Sequence, residues 1–151
     1  MTIRVPRWGL YAVALLLAAL AGAAVTLFLT AGEPAALPSD CRTAAEEPER
    51  VVLACGDGNF WAEQLNWRGW GDASAEAAGM AASNTCEPSC AEGAFRFYPV
   101  RLVASELREC AGGRRQYTRV EYEFTAESPY PPDSPRAADP TVPFPCSEVS
   151  F

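Results

Sequence analysis

The stretch Thr118-Arg119-Val120-Glu121-Tyr122-Glu123-Phe124 carries the clearest structural pattern in the chain. β-branched and aromatic residues alternate with charged ones, which is the period of two that is typical of a strand with one buried and one wet face. Residues 98–102 repeat the alternation, with Arg101 between two apolar residues. Both stretches therefore predict amphipathic strands, and the Ala111-Gly112-Gly113 sequence between them predicts a turn.

Three further strand candidates precede these stretches, at residues 51–54, 60–68 and 75–82. The third is ambiguous because its alanines favour a helix. Turns are predicted at residues 55–59, which contain two glycines and an aspartate, and at residues 69–72. Strands separated by such turns predict an all-β fold, a small antiparallel sandwich or barrel-like sheet stapled by disulfides.

The N-terminus carries an export signal. Arg4 and Arg7 precede an uncharged apolar stretch at residues 10–30, long enough for a helix of about 30 Å that spans the hydrocarbon core of a bilayer. The positive-inside rule places the N-terminus in the cytoplasm and the rest of the chain outside. We therefore expect one transmembrane helix, and through it an association with the membrane.

A cleavable signal peptide is the alternative for the same segment. Such peptides have a shorter apolar region followed by a small-x-small cleavage motif. Ala19-Leu20-Ala21 and Ala21-Gly22-Ala23 both match this motif, although cleavage there would leave an apolar new terminus at residues 25–29. Both interpretations place the domain outside the cytoplasm, either anchored in the cell membrane or secreted.

Composition divides the chain into four segments. We expect a signal anchor or signal peptide at residues 1–31, a linker rich in Ala, Pro and acidic residues at 32–48, and a disulfide-rich β domain at 49–127. Residues 128–151 form a proline-rich tail, which we expect to be extended and outside the sheet, apart from a tether at Cys146.

All six cysteines follow the apolar segment: Cys41, Cys55, Cys86, Cys90, Cys110 and Cys146. An even number of cysteines in a small exported domain predicts a disulfide framework, and six cysteines allow 15 connectivities. A zinc site at Cys86 and Cys90 would need two further thiolates, because the chain has no histidine. A redox-active Cys-x-x-Cys pair is absent from the sequence.

The net charge of −7 argues against nucleic acid or anionic lipid as a partner, because both need a basic patch. The absence of histidine excludes His-dependent catalysis. We expect no cofactor, no metal and no enzymatic activity.

Trp61, Trp67 and Trp70 are the candidate binding residues, since exposed aromatic rings can stack on a protein or glycan partner. On a regular strand Trp61 and Trp67 share a face, and Trp70 lies opposite if Gly69 keeps the register. The competing interpretation is that the three rings pack in the core. The sequence leaves both open.

Two pairs of acidic or amide residues are weaker candidates. Asp57 and Asn59 could offer oxygens to Ca²⁺, but a tight turn already explains them. Glu121 and Glu123 could suggest a glycosidase-like pair, but they are neighbours on the wet face of one strand, where Arg96 or Arg101 could balance their charge.

The combined spacing of several motifs resembles a group of small exported actinobacterial proteins. These motifs are Cys55-Gly56-Asp57-Gly58-Asn59, Trp67-Arg68-Gly69-Trp70, Cys86-Glu87-Pro88-Ser89-Cys90-Ala91-Glu92-Gly93 and Tyr98-Pro99-Val100. The group has no assigned activity, so the resemblance implies a location in the cell envelope and supplies no catalytic residues. Its members have counterparts of four of the cysteines but not of Cys110 and Cys146. The resemblance therefore implies that these two pair with each other, while the order among the other four stays open.

Taken together, these features predict an exported, membrane-anchored cell-envelope protein with a non-catalytic role in binding or structure. The alternative is an extracytoplasmic enzyme, or a thiol-redox or metal protein, whose site is not visible in the sequence.

Overall fold

The structure, a computed structural model, describes residues 34–146, so the predicted signal or anchor segment at 1–31 lies outside the described residues. Within residues 34–146, no helix combines the length and the hydropathy that crossing a membrane requires. The strands are β1 (Ala35–Pro38), β2 (Ala44–Ala45), β3 (Arg50–Val52), β4 (Phe60–Arg68), β5 (Ala75–Asn84), β6 (Phe95–Glu109), β7 (Arg115–Phe124) and β8 (Thr141–Pro143). One helical turn, α1 (Pro135–Ala138), precedes β8.

The strands form one curled, half-barrel sheet in the order β2-β1-β7-β6-β5-β4-β3, with β8 beside β7. Consecutive strands from β3 to β7 pair antiparallel, whereas β1 pairs parallel to β7. The described chain is mostly β, as predicted, and its curled sheet corresponds to the barrel-like alternative. The parallel pairing of β1 with β7 departs from the predicted antiparallel arrangement. The ambiguous stretch at residues 75–82 is a strand and not a helix, because β5 lies between β4 and β6 and β6 pairs with its whole length.

Small side chains on β5 allow the sheet to curl. Its inward-facing residues include Ala75, Ala77 and Ala81, all buried. In a flat sheet β4 and β7 would lie about 14 Å apart, because three strand spacings separate them. The Phe60 ring of β4 nevertheless lies 5.1 Å from the Tyr122 ring of β7, centroid to centroid. The large rings of the outer strands therefore meet over the alanines of the middle one and form the core.

A bulge in β4 exchanges the two faces of that strand. The pairing with β5 shifts between Glu63 and Asn66, and Gln64 has a positive φ of 56°. The facing residue is Gly79, where a Cβ atom would lie 2.6 Å from the Glu63 carbonyl oxygen. Inward-facing positions therefore have even numbers before the bulge and odd numbers, beginning at Leu65, after it.

The predicted linker at residues 32–48 is wrong for the part that the structure describes, because β1 is a buried strand of the sheet. The Val52 N–H donates to the Ser39 carbonyl oxygen over 2.9 Å. The segment after β1 therefore contacts β3, which forms the opposite edge of the sheet. The Cys41–Cys55 disulfide joins the same two regions. The run Ala35-Ala36-Leu37-Pro38 is too short to show a period, and it is ordered by the edge of β7 that it covers.

The proline-rich tail is also part of the fold, so the prediction that it lies outside the sheet is wrong. β8 pairs with β7 along the part of the β7 edge that β1 does not cover. Proline is tolerated in such an edge strand because its outward-facing backbone positions have no partner strand and need no N–H donor. Phe144 is buried at 3% exposure, and its carbonyl oxygen accepts a 3.1 Å hydrogen bond from the buried Gln116 side chain. The tail packs because it supplies Phe144 and Tyr130 to the core.

Candidate functional site

The bulge in β4 places Trp67 and Trp70 on the inner face of the sheet and leaves Trp61 on the outer face. Trp67 and Trp70 form an edge-to-face pair with ring centroids 4.9 Å apart, and both pack against the core. Their indole N–H groups donate to the carbonyl oxygens of Pro48 (2.9 Å) and Ala35 (3.0 Å). Trp61 lies on the other side of the sheet, so the prediction that Trp61 and Trp67 share a face is wrong. The sequence gives no sign of the bulge at Gln64, which reverses the inward and outward alternation of side chains between Trp61 and Trp67.

The outer face of the sheet carries an exposed aromatic cluster, here called the outer aromatic surface: Trp61, Phe95 and Phe97. Trp61 and Phe97 flank Ala82 in one row across β4, β5 and β6. The rings of Trp61 and Phe95 lie 4.4 Å apart, centroid to centroid. Phe95 is 40% exposed and Phe97 51% exposed, which makes them the exposed large hydrophobic residues of the described chain. These rings form an apolar patch on the outer face of the described sheet.

Phe95 and Phe97 were not among the candidate residues predicted from the sequence. In residues 95–98 large side chains occupy both parities, since Phe95 and Phe97 alternate with Arg96 and Tyr98. The period therefore does not show which side is buried. Only the folded sheet shows that both phenylalanines are exposed.

Charged groups border the outer aromatic surface. The guanidinium carbon of Arg50 lies 4.4 Å from the centroid of the Trp61 ring, within the range of a cation–π contact. The Trp61 indole N–H donates to Glu63 Oε2 over 2.7 Å. The two contacts hold Trp61 in one orientation, so the surface combines fixed apolar rings with one cation and one carboxylate at its edge.

An open hollow of about 410 Å³ continues along the same strands, lined by Ala78, Pro99 and the charged side chains of Arg68 and Arg101 among others. Ala78 and Arg101 lie opposite each other in the β5–β6 register. The apolar area of the outer face thus extends beyond the aromatic rings toward the other end of β4.

All six cysteines are in disulfides: Cys41–Cys55, Cys86–Cys90 and Cys110–Cys146. The disulfide framework is confirmed, and Cys110 has the partner that the resemblance implied. Three disulfides in so small a domain are typical of an oxidising, extracytoplasmic compartment.

The weaker candidate residues are engaged in local contacts. Asp57 Oδ1 accepts a 3.1 Å hydrogen bond from the Asn59 N–H, which lowers the pKa of Asp57. Glu123 pairs with Arg101, one of the two arginines considered from the sequence, and Glu121 pairs with Arg119. Within residues 34–146, no three His, Cys, Asp or Glu side chains are grouped so that they could hold a metal ion.

Comparison with known proteins finds no match for this chain among protein-family models, curated proteins or solved structures.

Proposed function

We propose that this protein is an exported, membrane-anchored cell-envelope protein of the actinobacterial group that it resembles, with a non-catalytic binding or structural role. The observation that carries the proposal is that every cysteine is bridged on a domain that displays two exposed phenylalanines. Disulfides persist in oxidising compartments, and exposed rings cost solubility unless they contact a partner.

The position of the outer aromatic surface supports a role in contact with other envelope components. The chain enters the sheet at Ala35, which receives a hydrogen bond from Trp70, just beyond the end of β4. Trp61 lies at the start of β4, roughly 25 Å away along a strand of nine residues. The surface is therefore at the end of the sheet opposite to the one that holds Ala35, the first residue of β1.

The chemistry of this surface fits a protein or glycan partner. Aromatic rings stack on the apolar faces of sugar rings and side chains, while Arg50 and Glu63 can exchange hydrogen bonds with hydroxyl or amide groups. The net charge of −7 works against nucleic acid and anionic lipid.

Location is tested by fractionating the native cells and mapping disulfides by mass spectrometry without reduction, after free thiols have been alkylated. We expect the intact chain in the membrane fraction with the three bridges complete. A chain recovered with alkylated thiols at Cys86 and Cys90 would contradict export and favour metal or redox chemistry.

Binding is tested by co-sedimentation of the full-length protein with insoluble envelope glycan. We expect the wild type to sediment, and the Phe95→Ser/Phe97→Ser variant to lose at least tenfold in affinity because the stacking rings are gone. Arg108→Ser, an exposed substitution elsewhere, is the control. Equal sedimentation of wild type and double variant would show that the outer aromatic surface is not the binding site. No sedimentation of either would exclude the glycan and leave a protein as the partner to seek.

A further inference from the structure

A second hollow, of about 400 Å³, opens where β5 ends and β6 begins, against the proline-rich tail. Its lining includes Ser83, Glu87, Arg96, Tyr98, Pro129 and Tyr130. Ser83 and Arg96 face each other across the two strands, and Tyr98 lies two positions further along β6 on the same face as Arg96. This hollow is separate from the outer aromatic surface, which occupies the other face of β6.

Two opposite charges line this hollow without being paired. Within residues 34–146, neither the Glu87 carboxylate nor the Arg96 guanidinium makes a hydrogen bond or an ion pair, with each other or with another side chain. Elsewhere on the described sheet opposite charges do pair across neighbouring strands, as Arg101 and Glu123 do. The hollow therefore presents one free cation and one free anion.

The aromatic walls of the hollow are held in place by the core. Tyr98 and Tyr130 each contact Phe124 edge to face, with centroids 6.0 and 5.8 Å away. The Tyr130 hydroxyl accepts a 2.9 Å hydrogen bond from Arg136 Nη1 and lies 3.4 Å from Ser83 Oγ. A ligand would thus meet two fixed rings and hydroxyl groups that need no reorganisation, which favours binding.

The loop that carries Glu87 is fixed as well. The Cys86–Cys90 disulfide closes it, and both ends are bonded to the Asn84 side chain: Asn84 Nδ2 donates to the Cys90 carbonyl oxygen and Asn84 Oδ1 accepts from the Cys86 N–H, each over 2.9 Å. A bridge across so few residues removes less entropy from the unfolded chain than a bridge that closes a long loop. Its main effect is on the shape of the loop, and that shape holds Glu87 at the rim of the hollow.

We propose that this hollow binds a small zwitterion, a free α-amino acid with an aromatic or apolar side chain. The ammonium group pairs with Glu87, the carboxylate pairs with Arg96, and the side chain packs against Tyr98 and Tyr130. A plain anion would face Glu87 unfavourably, and a plain cation would face Arg96 in the same way. A zwitterion satisfies both charges, and the volume suits a ligand of this size. The inference goes beyond the proposed function and does not depend on the outer aromatic surface.

The test is an NMR titration of the full-length protein in mild detergent, with the disulfides intact, following the ring signals of Tyr98 and Tyr130. The probes are L-phenylalanine, N-acetyl-L-phenylalanine, which lacks the ammonium, and L-phenylalaninamide, which lacks the carboxylate. We expect saturable shifts with L-phenylalanine and at least tenfold weaker binding of each blocked analogue, because each leaves one protein charge unpaired.

Two variants assign the charges. Arg96→Gln removes the preference for L-phenylalanine over the amide, and Glu87→Gln removes the preference over the N-acetyl analogue. Arg108→Gln, with a charge remote from the hollow, keeps both preferences. Absence of saturable shifts at the two tyrosines, or equal binding of the blocked analogues, would overturn the proposal while leaving the role of the outer aromatic surface untouched.

Discussion

The two faces of the sheet use aromatic residues in opposite ways. On the inner face Phe60, Tyr122, Phe124 and Tyr130 interlock edge to face and are largely shielded from solvent. On the outer face the phenylalanines at the start of β6 are exposed. On the inner face the tail packs Tyr130 and Phe144 against the core. Aromatic content alone therefore does not show which face of a strand is buried, because the packing of neighbouring elements decides it.

The largest expected effect comes from removing one ring from each face. Phe60→Ala leaves a cavity under three neighbouring rings, and we expect it to lower the free energy of unfolding by about 3–5 kcal/mol. Phe97→Ala removes a ring that is half exposed and should cost less than about 1 kcal/mol. Urea unfolding followed by circular dichroism measures both. Similar losses of unfolding free energy in the two variants would mean that the outer rings are packed in solution, which would contradict the difference between the two faces.

The disulfides should rank according to the length of chain that each one closes. Cys110 and Cys146 are 36 residues apart and hold the tail on the inner face, so the double Cys→Ser variant should lose about 4 kcal/mol. Cys86 and Cys90 are 4 residues apart, and the matching variant should lose about 2 kcal/mol. Guanidinium unfolding of the two double variants gives the order. A reversed order would show that the tail contributes little to covering the inner face.

The bulge that assigns the tryptophans to opposite faces can be disturbed through Gly79. A Cβ atom there would meet the Glu63 carbonyl at 2.6 Å and Leu65 Cδ2 at 2.9 Å, so Gly79→Ala should cost about 1–3 kcal/mol. Gly56→Ala is the control, since its Cβ would contact nothing within 4 Å. Thermal unfolding measures the stability, and acrylamide quenching of tryptophan fluorescence reports any change in exposure. If Gly79→Ala changed neither the stability nor the tryptophan exposure, the bulge would have to lie elsewhere in β4.

The smallest effect is the pH dependence of the inner face. Burial raises the pKa values of Tyr117 and Tyr122 above their usual value of 10.0. A raised pKa means that the folded state retains the proton longer, so the stabilisation is complete below pH 10 and is lost as the pH rises through the folded pKa values. The melting temperature should therefore fall above pH 10, and less so in Tyr122→Phe. If the melting temperatures of the wild type and Tyr122→Phe had the same pH dependence, Tyr122 would not contribute to the loss of stability above pH 10.

Much of the strand pattern was predictable from the sequence because alternation is a local property. The predicted strand at residues 60–68 is β4 as observed, and the stretch from Thr118 to Phe124 lies within β7. The same logic failed for β1 and β8, which have four and three residues. Strands this short show no period, and they form because β7 offers them an unpaired edge.

The candidate site was only partly predictable. Trp61 was identified as a candidate, but its neighbours Phe95 and Phe97 were not, and Trp67 was wrongly placed on the same face as Trp61. One inserted residue at the bulge reverses the side of every residue that follows, and a glycine 15 positions later in the chain makes room for it.

The class of fold, the disulfide framework and the acidic composition without histidine can be read from the chain alone, because alternation, cysteine number and charge are properties of the sequence. The pairing of the first four cysteines, the outward orientation of Trp61 and the inclusion of β1 and β8 in the sheet became visible only in the folded protein. These outcomes depend on contacts between residues far apart in the chain, and the curl over the alanines of β5 is what brings those residues together.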